Sequence, residues 1–165
     1  MGQFFQPQSI LEFGTSLGLT SLYIAKAAPQ SEIISVEGSK EIANFASTLF
    51  AKQAVKNVRV VHQKFDEFIS TDLEKEQKFD LIYIDGNHTY DATVKYFLEL
   101  LNHVNENTWF VFDDIYWSRG MNRAWLEIIN HERVSLSMDF FHFGVIMLQP
   151  RMTKEHFKLN GLLSF

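Results

Sequence analysis

Short apolar runs alternate with helix-like stretches along most of the chain. Ser9–Phe13, Glu32–Val36, Val58–Val61, Phe79–Ile84 and Trp109–Phe112 have the length and the β-branched or aromatic bias of buried strands. Between them the period lengthens. Ile42, Phe45, Ala46, Leu49 and Phe50 share one helical face, with Ser39 placed as N-cap. Val94, Phe97, Leu98, Leu101 and Val104 make a second stripe, and Pro29 stops the first helix soon after Ala28. Strand–helix alternation on this scale predicts right-handed crossovers and a mostly parallel sheet covered on both faces.

The pattern changes after a helix near Met121–Asn130. Val134–Phe140 and Phe143–Leu148 are strand-like runs too close together for a parallel crossover, so they are expected to form an antiparallel hairpin at a sheet edge. Five β/α units and a hairpin predict an α/β, Rossmann-like, doubly wound fold: a mostly parallel seven-stranded sheet with a C-terminal antiparallel hairpin. No internal repeat, low-complexity segment or linker interrupts residues 1–165, which read as a single domain. The closing NGLLSF reads as a tail or as edge packing.

Composition narrows the function classes. The chain is 46% apolar, with 16 Phe, which supports a sizeable core and argues against disorder. A net charge of −5 without a run of like charges offers no surface for nucleic acid or an anionic membrane. The absence of cysteine removes disulfides, thiolate metal sites and thiol nucleophiles together. No basic-then-apolar leader and no membrane-length apolar stretch is present, so a cytoplasmic protein is expected.

The first strand ends in a glutamate and two spaced glycines, within ILEFGTSLGLTSLYIA. In an open α/β sheet, ligands bind beyond the carboxyl ends of the strands, where glycine tolerates positive φ and admits close approach to the backbone. Gly14 and Gly18 form G-x-x-x-G, which is not the dinucleotide pattern G-x-G-x-x-G, and Glu12 would repel a pyrophosphate. Glu37 ends the second strand, where a carboxylate can accept from both ribose hydroxyls. A nucleoside with a positively charged tail fits these features better than NAD does.

ILEFGTSLGLTSLYIA, IISVEGS, FDLIYIDGNHTY and VFDDIYW, in that order, resemble the class I S-adenosylmethionine-dependent methyltransferases. The likeness is greatest to the small-molecule O-methyltransferases of the catechol and caffeoyl-CoA kind, and it runs from about Ser9 to Leu148. It implies S-adenosylmethionine as cofactor and a small hydroxylated molecule as acceptor. By that resemblance Glu12 lies near the methionine portion, the backbone of Gly14 and Gly18 lies against the cofactor, Thr20 reaches its carboxylate, and Glu37 holds the ribose. Asp85 faces both the methionine end and the reaction site. After the third strand the family carries a glycine and a polar residue where this chain reads HQKFDEF, which leaves Phe65 to pack on adenine and Asp66 to accept from its amino group.

In metal-dependent members a divalent cation holds the acceptor hydroxyls. The resemblance assigns its ligands to Asp85, Asp113 and Asp114, with Mg²⁺ favoured and Ca²⁺ or Mn²⁺ as alternatives; the competing reading is that one aspartate of the pair caps the following helix and the other faces solvent. Asp114 stands where the family has Asn. His88 stands where those enzymes carry a lysine base, and a histidine can serve as base near neutral pH; a loop histidine that fixes the turn is the competing reading. Tyr116, Trp117 and Arg119 follow the paired aspartates and could wall an acceptor pocket. The other histidines, His62, His103, His131, His142 and His156, show no ligand spacing and read as structural or surface residues.

Related enzymes begin with lid helices, whereas only Met1–Gln8 precede the first strand here. The expectation is a domain lacking that lid, which makes a homodimer worth testing. The alternative function is a non-catalytic or incomplete S-adenosylmethionine-binding domain. A nucleic-acid methyltransferase is disfavoured, since the chain is acidic and lacks the Asn/Asp-Pro-Pro-aromatic motif after the fourth strand.

Overall fold

A computed structural model describes residues 5–159. NGLLSF lies outside the described residues. Two compact units divide the chain, residues 1–81 and 82–165, with the boundary inside one strand.

In the first unit the elements are β1 (Ser9–Phe13), α1 (Leu19–Ala27), β2 (Glu32–Glu37), α2 (Lys40–Lys52), β3 (Val58–His62) and α3 (Phe65–Thr71), followed by the start of β4 (Phe79–Ile84). β1 and β2 run parallel with Glu12 opposite Ser35, and β2 and β3 run parallel with Ser35 opposite Val60. Ile10, Leu11 and Phe13 are buried, as expected for a strand covered on both faces. Asn57 ties off α1, its Nδ2 donating to the carbonyls of Ala25, Ala28 and Ser31 at 3.4, 3.2 and 3.1 Å. One side-chain amide thereby ties the end of the helix to the turn that leads into β2.

Ser39 caps α2, accepting from the Ile42 amide at 3.4 Å. The buried stripe of α2 is Ala43, Ala46 and Phe50, whereas Ile42 and Phe45 are exposed. The stripe turns toward the small residues because α2 approaches the first turn of α1 closely. A Cβ at Gly18 would lie 3.0 Å from the Phe50 ring and 3.2 Å from the Ala46 Cβ.

The second unit takes up the rest of β4, then α4 (Tyr90–Leu100), a 3₁₀ turn (Leu101–His103), β5 (Val104–Asp113), α5 (Arg119–Asn130), β6 (Leu136–Asp139), β7 (Phe143–Met147) and β8 (Glu155–Lys158). Val104 therefore opens β5 and does not extend the α4 stripe: the 3₁₀ turn ends the helix three residues earlier. The predicted hairpin is present, with β6 and β7 antiparallel and β7 antiparallel to β5. Phe97 on α4 meets Phe110 and Phe112 edge-on at 5.5 and 6.2 Å.

Hydrogen bonding joins eight strands in the order β3-β2-β1-β4-β5-β7-β6-β8, one more than the seven expected. The addition is β8, which pairs parallel with β6. Its residues are exposed throughout, so it carries no apolar periodicity to be read.

Gly144 sits under Trp125 of α5, and a Cβ there would lie 2.5–2.8 Å from three atoms of that ring. Trp125 is buried and has no room to yield. Gly144→Ala is expected to cost about 2–3 kcal/mol by overpacking, read as a lowered urea midpoint at unchanged slope. Gly38→Ala, where the nearest atom would be 3.9 Å away, serves as the near-neutral control.

Candidate active site

In the first unit the chain leaves β1 through a turn closed by backbone hydrogen bonds. Gly14 N–H donates to Val36 O at 3.0 Å and Gly18 N–H to Thr15 O at 2.8 Å. Gly14 and Gly18 have φ of 103° and 79°, in the left-handed region that glycine occupies without strain. Ser16 shares the turn at φ 48°.

Glu37, at the end of β2, completes this rim. Its Oε2 accepts from the Ser16 amide at 3.0 Å and its Oε1 from the Ser39 amide at 2.9 Å. The carboxylate is half-buried and held in one orientation by the glycine turn on one side and the start of α2 on the other. Each oxygen keeps further acceptor capacity. Ser16 is a site residue that the sequence reading missed, because nothing in its identity marks a left-handed backbone.

Glu12, which the resemblance places near the methionine portion, is 0% exposed. Its Oε2 accepts from the hydroxyls of Ser21 and Ser35, and Thr15 Oγ1 lies 2.5 Å from Ser35 Oγ. It lies beneath the turn and supports it. Thr20 is half-buried in the first turn of α1. Phe65 stacks on Phe13 at 4.8 Å with the rings 2° from parallel, and Asp66 is exposed in the first turn of α3.

In the second unit a group of charged side chains gathers after β4 and β5. His88 Nε2 lies 3.5 Å from Asp85 Oδ1 and 3.9 Å from Asp114 Oδ2. Asn87 and Asp114 both have positive φ, 55° and 54°. Two non-glycine residues in that sparse region, on either side of one imidazole, are the kind of strain that gathers at functional sites. The G-N dipeptide signals the first of these turns, whereas the second has no sequence mark.

Asp113 is placed differently. Its Oδ2 accepts from Tyr83 Oη and its Oδ1 from the Asp114 amide, each at 2.9 Å. Among the described residues no group of three or more His, Asp or Glu side chains is arranged to hold a metal ion. Both Asp113 oxygens accept hydrogen bonds, and His88 lies within 4 Å of the carboxylates of Asp85 and Asp114. Tyr116 stacks on Phe141 at 5.5 Å, and Trp117 is 72% exposed. Among the other histidines, His131 packs edge-on against Phe97 and His156 Nδ1 lies 2.6 Å from Ser137 Oγ, both structural roles.

A strand, a glycine turn, a helix and an acidic residue ending the next strand, with a terminal antiparallel hairpin, define the class I methyltransferase fold. The chain belongs to the methyltransferase-domain family, whose model matches residues 11–115. Solved structures agree on the fold. The O-methyltransferase TomG of Streptomyces achromogenes, solved with SAM, is 20% identical with a TM-score of 0.75, over 87% of this chain and 74% of that one. An O-methyltransferase from Bacillus cereus in complex with SAH is 20% identical with a TM-score of 0.72, over 86% and 74%. A SAH-bound methyltransferase from Podospora anserina gives 20% and 0.73, over 87% and 71%. No curated protein matches the chain. Among the described residues no helix is long and apolar enough to cross a membrane.

Asp85 carries the clearest electrostatic mark of the site. Partial burial, then the nearby Asp113, raise its carboxyl pKa from the ordinary 3.8 to about 6; His88 opposes the rise and Asp114 adds to it. The folded state therefore holds this proton more tightly than the unfolded chain, so stability falls as pH rises through the window from 3.8 to about 6. Above that window the whole cost is present. Asp85→Asn is expected to stabilise the protein by about 1–2 kcal/mol at neutral pH, after discounting for solvent, and to give no such gain near pH 3.5. Urea unfolding of both proteins across this pH range measures the difference.

Proposed function

We propose that the protein is an S-adenosylmethionine-dependent O-methyltransferase acting on a small hydroxylated acceptor. The observation that carries this reading is the Glu37 carboxylate, fixed by the Ser16 and Ser39 amides beside a glycine turn at positive φ. This is a rigid diol acceptor next to backbone that no Cβ obstructs, which suits the ribose of a nucleoside. The first α/β crossover is supported by Glu12 from below, and Thr20 stands at the α1 N-terminus, where an anionic carboxylate is favoured. Phe65 and Asp66 would border the adenine. S-adenosylmethionine, when bound, supplies an electrophilic methyl group on a sulfonium.

The chain's own residues then have to orient the acceptor and take its proton. His88 is the proposed base. Its Nε2 lies at the edge of the acidic group, partly open to solvent, with Asp85 and Asp114 close enough to stabilise the imidazolium that forms. Asp85 and His88 are thus the proposed catalytic pair.

Calorimetric titration with S-adenosylmethionine, with and without Mg²⁺, tests the reading. Binding is expected without Mg²⁺ and unchanged by it, and Glu37→Gln is expected to weaken it about 10- to 100-fold, the loss of charge-assisted hydrogen bonds. Absence of binding to the wild-type protein would overturn the proposal. His88→Ala should leave cofactor affinity within about twofold and slow methyl transfer by roughly 10²- to 10⁴-fold, measured by release of S-adenosylhomocysteine across a panel of phenols and sugars. Tight binding with no turnover on any acceptor would instead mark a binding domain.

A further inference from the structure

Asp139 ends β6 almost wholly out of solvent, at 1% exposure, and joins three separate segments. Its Oδ2 accepts from Tyr116 Oη at 2.5 Å and its Oδ1 from the Phe141 amide at 2.9 Å. Tyr116 belongs to the turn after β5, and Phe141 to the tip of the β6–β7 hairpin. The third segment is β8. In register with Asp139 it presents Lys158, whose Nζ lies 4.0 Å from Asp139 Oδ2 and 3.1 Å from Tyr116 Oη, and 5.3 Å from the centre of the Tyr116 ring. A buried carboxylate requires hydrogen bonds and a counter-charge, and Tyr116 and Lys158 supply one each.

The turn held this way is the one that carries Asp114. Trp117 N–H donates to Asp114 O at 2.9 Å, and Asp114 stays at φ 54°. A non-glycine residue keeps such a conformation only where its surroundings over-determine it. Ile115, 1% exposed, anchors the turn in the core, and Tyr116 anchors it through its hydroxyl. β8 buries no apolar side chain of its own, so its contribution is polar.

We propose that Lys158, delivered by the eighth strand, is a positioning residue: through Tyr116 and Asp139 it holds residues 113–117 in the shape that sets Asp114 against His88. The catalytic meaning of that placement rests on the reading of His88 as base. The placement itself does not, and it can be tested on the protein without cofactor or acceptor.

Amide hydrogen exchange resolved by residue, on the wild type, Lys158→Met, Lys158→Arg and Tyr116→Phe, reads it directly. In Lys158→Met and Tyr116→Phe the amides of Asp114 and Trp117 are expected to exchange about tenfold faster, with the centre of β5 unchanged. Lys158→Arg should restore wild-type rates within about twofold, and the Met/Phe double variant should exchange more slowly than the product of the two single effects, since the Lys158–Tyr116 contact is lost in both. No change at Asp114 and Trp117, or an acceleration spread evenly over β5 to β8, would overturn the proposal and leave β8 a structural edge. Failure of S-adenosylmethionine to bind would count against the proposed function alone.

Discussion

A carboxylate sealed inside the first strand is the constraint on which the rim in the first unit depends. Glu12 has no exposed surface, and its Oε2 accepts from two hydroxyls. Stripping a carboxylate of water is tolerable only where hydrogen bonds replace the water, and leaving such a charge without its partners costs about 3–5 kcal/mol. Ser21, Ser35 and Thr15 must therefore stay where they are. Ser21 lies on α1, Ser35 on β2 and Thr15 in the glycine turn, so one charge fixes the start of the helix, the neighbouring strand and the loop between them. Glu37 is presented to the rim by the same strand that contributes Ser35.

The acidic group of the second unit answers a different problem. Asp85 keeps part of its surface, has like charges beside it, and meets an imidazole at 3.5 Å. Its carboxyl is held well above the usual range by burial first and by Asp113 second. Tyr83 and the Asp114 amide fix Asp113, which leaves Asp85 and Asp114 to face His88. A carboxylate held by buried hydroxyls, like Glu12, gives shape. An incompletely compensated one stores a preference for protonation, and such groups are found where proton transfer is done.

The buried parts of the fold were legible in the sequence and the exposed parts were not. β1 and β4 are read to the residue because apolar side chains dominate them. Ser39 was readable as a cap because its side chain has a physical job at the helix start. β8 was not, since Glu155, His156, Phe157 and Lys158 are all exposed and hold their place by backbone pairing and polar contacts. The polar start of β5, Asn105–Asn107, was hidden for the same reason. Within the site, Glu37 could be placed from strand-end logic alone. Glu12 could be singled out but not oriented: a one-dimensional pattern shows that an acid ends an apolar run and cannot show that the hydroxyls of Ser21 and Ser35 converge on it. The arrangement of the three aspartates is a similar case. Spacing brings Asp85, Asp113 and Asp114 to the ends of strands, but Tyr83 and the Asp114 backbone determine which oxygens remain available.

The fold alone would not single out this function, since relatives near 20% identity share only its architecture. What narrows the choice is chemistry that a packing argument does not require. A core strand gains nothing from Glu12, and a helix cap does not need Glu37 to bind two amides across the mouth of a turn. Nor does folding favour Asp85 and Asp114 beside one histidine, with Asn87 and Asp114 both in a left-handed conformation. Each of these choices costs stability that a simpler residue would retain. Their concentration in two small regions, at the ends of strands where α/β folds take their ligands, is what the proposed function asks of the chain.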